Sequence, residues 1–239
     1  MSEQAYMGGE LKLFARAGHW KRYWISQLRP YIQGAVLEVG AGIGANTLRL
    51  RSGSEWRWVC LEPDPQLADT LRGQLTETPL EPTAEVVTGT LDALDPADRF
   101  DSILYIDVLE HIEDDRGELE RAAQHLAPGG HLIVLAPAHA WLFSPFDQAI
   151  GHFRRYTARG LGGLTPPGVR LATAFYLDSV GLLASAANRL LLRQSLPSTR
   201  QIHVWDRLMV PCSRLLDPFT GYRAGKSVVA VWERSSQDY

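Results

Sequence analysis

Short runs of apolar residues alternate with stretches of helical spacing through the middle of this chain. Ala35–Val39 (AVLEV) is a brief run of the kind a parallel strand buried on both faces presents. Trp58–Glu62 (WVCLE), Glu85–Val87, Phe100–Ile106 (FDSILYI) and His131–Pro137 (HLIVLAP) repeat the signal. Pro65–Leu75 and Gly117–Leu126 carry helical patterns between them, and Pro128-Gly129-Gly130 punctuates the end of the second. This alternation predicts right-handed crossovers and an α/β fold with a doubly wound parallel sheet. Ligands of such sheets bind beyond the carboxyl ends of the strands, so chemistry is to be sought just after each strand.

After the first strand comes VLEVGAGIGANT, Val36–Thr47. Its glycines permit a sharp turn and bring backbone N–H groups close to a ligand, and Asn46 or Thr47 then opens a helix. From Gly40 the stretch fits the dinucleotide fingerprint G-x-G-x-x-G/A. From Glu38 it fits the loop E-x-G-x-G-x-G of S-adenosylmethionine enzymes. A carboxylate at Glu38 sits badly beside a pyrophosphate but suits an ammonium group. Glu62, 22 residues beyond Gly40, is placed to accept ribose hydroxyls in either case. The fourth strand runs into Asp107, Glu110, His111, Glu113, Asp114 and Asp115, an acidity that favours a sulfonium ligand. Asp114 and Asp115 also read as charge compensation at a helix start.

At 239 residues, with 45% hydrophobic and 21% charged residues, the chain has the composition of a globular protein with one sizeable domain. The net charge of −3 gives no drive toward nucleic acid. Cys60 and Cys212 lack metal-ligand spacing and are expected to be reduced, buried thiols of a cytoplasmic protein. No run of 18 apolar residues marks a membrane span, and the first ten residues carry no signal-peptide core.

VLEVGAGIGANT, CLEPD, FDSILYIDVLEHIEDD and LAPGGHLIVLAPAH, in this order, resemble the class I S-adenosylmethionine-dependent methyltransferases over roughly residues 35 to 137. The resemblance implies a seven-stranded, mostly parallel Rossmann-like sheet whose last strand is antiparallel. Leu171–Asp178 and Ser227–Arg234 would be strands six and seven. It also implies S-adenosylmethionine as cofactor. Glu38, Gly40, Ala41 and Gly42 would surround its methionine part, and Glu62 with Pro63 the ribose. Thr90, Leu91 and Asp92 would lie at the adenine, and Tyr105, Ile106 and Asp107 along the cofactor floor.

Around this core (35–137) the sequence suggests three additions. Residues 1–34 hold Tyr6, Phe14, Trp20, Tyr23, Trp24 and Tyr31 and read as a helical cap, either over the cofactor or simply packed on the core. Residues 138–170 follow the fifth strand, where an acceptor must enter. There His152 is the leading general base, with His111 and Tyr156 as further catalytic candidates, and Arg154 and Arg155 can clamp an anion. The same stretch also reads as a capped helix start with Asp147 pairing an arginine. Residues 179–226 carry seven cations against two aspartates, net +5, which leaves −8 for the rest. This segment reads as a helical lid, and its basic amphipathic pattern also suits an anionic membrane or a lipid-linked substrate. The remaining histidines show no metal-ligand pattern, and no metal is expected. The expected activity is O- or N-methylation of a small-molecule, sugar or lipid-linked acceptor. A nicotinamide-dependent oxidoreductase and a non-catalytic S-adenosylmethionine-binding protein are the alternatives.

Overall fold

The computed structural model describes residues 17–78, 81–189 and 198–236; Tyr6, Phe14 and Arg193 lie outside them. Seven strands form one sheet in the order β3-β2-β1-β4-β5-β7-β6. They are β1 (Ala35–Val39), β2 (Arg57–Glu62), β3 (Glu85–Thr88), β4 (Phe100–Ile106), β5 (Leu126–Pro137), β6 (Val169–Leu177) and β7 (Ser227–Arg234). The first five pair in parallel, and β7 runs antiparallel to both β5 and β6. All five residues of β1 are buried, as two-sided coverage requires.

One apolar layer packs α1 (Gly18–Leu28) and the β6–β7 connection on one face, through Trp20, Trp24, Trp58, Trp205 and Val229. The other layer packs α4 (Asp115–Gln124) on the opposite face, through Leu37, Ile103, Leu119, Ala122 and Trp232. Between β1 and β4 the chain forms the single-turn α2 (Thr47–Leu50) and α3 (Pro65–Glu77). Asp64 caps α3 by accepting from the backbone N–H of Gln66 and Leu67, with Pro65 in the first turn. Asp114 caps α4 by accepting from the Gly117 N–H, at the helix start where charge compensation was expected.

The largest boundary difference from expectation is at the fifth strand. The fifth strand begins at Leu126, not His131, because Leu126 already pairs with Phe100 and a register shift between Phe100 and Ser102 absorbs the Pro-Gly-Gly stretch. That stretch is a bulged strand segment rather than a helix stop. Cys60 is buried, but Cys212 is exposed, contrary to expectation, because it faces outward on its helix.

After β5 come α5 (Pro145–Ala149) and α6 (Ala158–Gly162). The β6–β7 connection holds α7 (Ser179–Ala187), α8 (Thr199–Val204), a π-helical turn at Trp205–Met209 and α9 (Val210–Leu216). It is tied down by buried aspartates. Asp178 accepts from Trp205 Nε1 (2.7 Å), Ser213 Oγ (2.6 Å) and the Gly181 N–H (3.0 Å). Asp217 accepts from the Asp178 N–H (2.8 Å) and the Tyr23 hydroxyl (2.6 Å). Asp206 caps α1 from 186 positions away, accepting from the Trp20 N–H at 2.8 Å. Removing the Tyr23 hydroxyl deprives a buried carboxylate of a charge-assisted bond worth about 1.5–3 kcal/mol. Tyr23→Phe is therefore expected to lower unfolding free energy by about 2 kcal/mol in denaturant titration. Wild-type stability would show that the bond does not hold α1 to the lid.

Candidate active site

At the carboxyl ends of the parallel strands lies an open cavity of ≈1630 Å³. Its floor is the loop after β1, with Gly40, Ala41 and Gly42. Gly40 adopts φ 67°, and a Cβ there would stand 2.6 Å from Val108 Cγ2, so a side chain is excluded on two grounds. Gly44 is similarly held, at φ 81° and 2.4 Å from Leu71 Cδ1. The loop is anchored by the Gly40 N–H donating to the Leu61 carbonyl at 2.7 Å.

Glu62 ends β2 facing this cavity, its two oxygens accepting from the Gly42 N–H (2.7 Å) and the Asp64 N–H (2.9 Å). Burial raises its pKa against those two bonds. Pro63, Ile106 and Asp107 line the same wall. Asp107 sits at φ 55°, where burial pushes its pKa up to about 6 against the pull of His152, Lys21 and Lys226. Trp20, Lys21 and Trp24 of α1 form the adjoining wall. Lys21 donates to Asn46 Oδ1 at 2.7 Å, and burial brings its pKa down to about 8.

Not every expected residue faces the cavity. Glu38 is buried under the loop, bonded by Trp58 Nε1 at 3.2 Å, with its pKa raised by burial to about 7. Tyr105 points to the opposite face of the sheet, where its hydroxyl donates to Glu118. Thr90, Leu91 and Asp92 lie just after β3 but outside the cavity lining. Tyr156 is buried and donates to Asp115 at 2.9 Å and the Leu109 carbonyl at 3.3 Å, a structural tie. Arg154 turns away to pair with Asp115 at 2.7 Å.

His152, Arg155 and His111 do face the cavity. Asp147 gathers two of them. It accepts from Arg155 Nε (2.8 Å) and Nη2 (3.0 Å) and sits 3.1 Å from His152 Nδ1, while closing a capping box with Ser144 at the start of α5. Despite burial, these partners hold the Asp147 carboxyl well below the usual carboxylate range. The Phe153 N–H donates to the Glu110 carbonyl at 2.8 Å, which lays this segment against the turn after β4. The His111 and His152 rings meet edge to face at 4.5 Å. Burial lowers the His111 pKa to about 4, so its ring is neutral at pH 7. Sequence reasoning missed the roles of Lys21, Lys226, Arg189 and Arg200 as lining residues. Each comes from a segment far from the motifs, and only the positive charge of 179–226 hinted at the last three.

A family model described as a methyltransferase domain matches residues 37–132. The chain is 32% identical over 146 residues to demethylmenaquinone methyltransferase of Tropheryma whipplei (strain Twist), covering 60% of this chain and 59% of that protein. The match thus spans less than two thirds of that relative's length. Ajmaline N-methyltransferase of Rauvolfia serpentina is 27% identical over 130 residues, 53% of this chain and 44% of its own. In fold, the chain is similar to coclaurine N-methyltransferase bound to N-methylheliamine and SAH, with TM-score 0.61 and 15% identity over 89% of this chain and 71% of that one. Over residues 37–132 the chain thus matches a methyltransferase domain, and its fold is similar to that of the class I S-adenosylmethionine-dependent methyltransferases. S-adenosylmethionine is the cofactor of that class, and the residues present fit it. A glycine floor that a Cβ would fill, the Glu62 carboxylate on the wall and the anionic Asp107 beneath suit a diol and a cationic sulfonium centre.

The Asp147 cluster makes a pH-dependent contribution to the protein's stability. Its folded pKa lies below the ordinary 3.8, so the contribution is complete above about pH 4 and lost as pH falls below it. Asp147→Asn leaves the nearly buried Arg155 without its counter-charge and is expected to cost about 3 kcal/mol at pH 7. Equilibrium unfolding at pH 7 and pH 3 checks this; the variant's deficit should shrink at the lower pH. An equal deficit at both pH values would remove charge as the cause.

Proposed function

We propose that the protein transfers a methyl group from S-adenosylmethionine to an oxygen or nitrogen of a hydroxylated or anionic small-molecule acceptor. One observation carries this reading: His152 and Arg155, from the segment after β5, share a single cavity with Gly40–Gly42, Glu62 and Asp107. Bound S-adenosylmethionine supplies an electrophilic methyl carbon. The chain's part is to hold the reactants in line, exclude water and manage the acceptor's proton. Glu62 is assigned to the ribose diol and Asp107 to the cationic half of the cofactor. His152, oriented through Nδ1 by Asp147, presents Nε2 to the cavity and takes the proton of an acceptor hydroxyl. Arg189 and Arg200, on the cavity's lid side, suit an acidic acceptor.

A lipid-linked acceptor is favoured by one further feature. Leu183, Leu208, Leu215 and Phe219 of the lid are 70%, 64%, 70% and 90% exposed, beside exposed Arg207 and Arg214. Such an apolar and basic surface suits an anionic bilayer. No helix among the described residues is long and apolar enough to cross a membrane. Sedimentation with phosphatidylglycerol vesicles should retain the protein at low salt. Leu215→Glu/Phe219→Glu should release it, and equal partitioning of both proteins would argue for an acceptor free in water.

Two measurements test the cofactor side. Calorimetric titration should show binding of S-adenosylmethionine and not NAD, and Glu62→Ala should weaken it about tenfold or more, given charge-assisted bonds of about 1.5–3 kcal/mol each. Affinity should also rise with pH through about 6 and then level, because the raised Asp107 carboxyl is anionic only above that value. Asp107→Asn should flatten the profile. NAD binding without S-adenosylmethionine binding would overturn the reading.

A further inference from the structure

Glu110, His111 and His152 each present one ligand atom to a common point, with these atoms within 4.8 Å of one another. All three residues line the cavity. The Glu110 residue is fully buried in the wall, and its Oε1 stands 3.8 Å from His152 Nε2, beyond hydrogen-bond reach. The His152 imidazole is already fixed through one side, where Asp147 engages Nδ1 at 3.1 Å. Its Nε2 is left for another partner. Gly151 lies against the His111 ring, where a Cβ on that glycine would stand 3.8 Å from Nδ1. Carboxylate or backbone orientation of one imidazole nitrogen, with the other aimed at a shared centre, is the arrangement that supports metal-ligating histidines. The scaffold is rigid, since the Phe153 N–H and the Tyr156 hydroxyl tie the two contributing segments together at the Glu110 and Leu109 carbonyls.

We propose that Glu110, His111 and His152 hold a divalent transition-metal cation, with its remaining coordination positions open to the cavity. Two imidazoles and one carboxylate suit Zn²⁺, Mn²⁺ or Fe²⁺, whose ligand distances of about 2.0–2.2 Å are reached by small side-chain rotations from the observed spacing. The ion's role rests on the methyl-transfer reading above; the ion's binding does not. In that role His152 is a ligand rather than a base. An acceptor hydroxyl coordinated to the ion loses its proton to solvent at neutral pH. The oxygen then forms a bond to the methyl carbon, and the electron pair of the broken carbon–sulfur bond stays on sulfur. A hydroxylated acceptor with a neighbouring oxygen would bind best, through two positions at once.

The test is calorimetric titration of the chelator-treated full chain with Mn²⁺ and with Zn²⁺, without cofactor or acceptor. One site per chain is expected, and Glu110→Gln and His152→Ala should each weaken it at least tenfold. Asp147→Asn, which removes the orienting charge, should weaken it about 10–100-fold. Should Glu110→Gln lose its fold by circular dichroism, His111→Ala carries the same test. Absence of binding by the wild type, or binding that these variants leave unchanged, overturns the site. S-adenosylmethionine titration of the same samples separates the two proposals. Metal binding without cofactor binding would sink methyl transfer and leave the metal site standing.

Discussion

Asp178 and Asp217, both fully buried, are the constraint on which the cavity depends. Its floor is built by the sheet, but its roof comes from α1 and the β6–β7 connection, which have little regular pairing with the sheet. Burying two carboxylates costs several kcal/mol each unless every lone pair finds a donor. Here Trp205, Ser213, Tyr23 and the first turn of α7 supply those donors. The donors come from four separate stretches, so satisfying the carboxylates fixes the relative positions of all four. Lys226, set over the Trp205 ring at 4.5 Å, places a cation beside the same assembly.

The charges lining the cavity are mixed. Carboxylates of Glu62, Asp107, Glu110 and Asp147 share it with Lys21, Arg155 and Lys226, and Arg189 and Arg200 add two cations from the β6–β7 connection. Asp107 feels Lys21 and Lys226, and Asp147 is paired with Arg155, so the lining carries no single sign of charge. Burial lowers the His111 pKa and the neighbouring His152 lowers it further, which keeps the ring neutral.

Most of the fold was legible because strands covered on both faces leave unbroken apolar runs, as in β1, β4 and β7. Glu62 and Asp107 were legible for the same reason, being the first polar positions beyond such runs. What the sequence hid is directional. Successive strand residues face opposite sides, so Tyr105 and Ile106 could not both border one cavity, and Tyr105 serves the far layer. Arg154 and Arg155 divide likewise, one toward Asp115 and one toward Asp147. The Asp147 pairing with an arginine was foreseeable from local spacing. The meeting of Glu110 and His111 with His152, 41 positions on, was not, because it is made by β5 and the turn that follows it.

The placement of β7 has a consequence for how the molecule assembles. It follows β6 in the chain yet lies between β5 and β6, with seven residues paired to β5 and eight to β6. Until β7 arrives, β6 has no neighbour in the sheet, and β5 carries an open edge. Both unpaired edges are apolar templates for another chain. The connection that must close before this happens also carries the roof. The roof and the last strand pairing thus depend on one long loop closure, whereas the glycine loop and its flanking strands are joined by short crossovers.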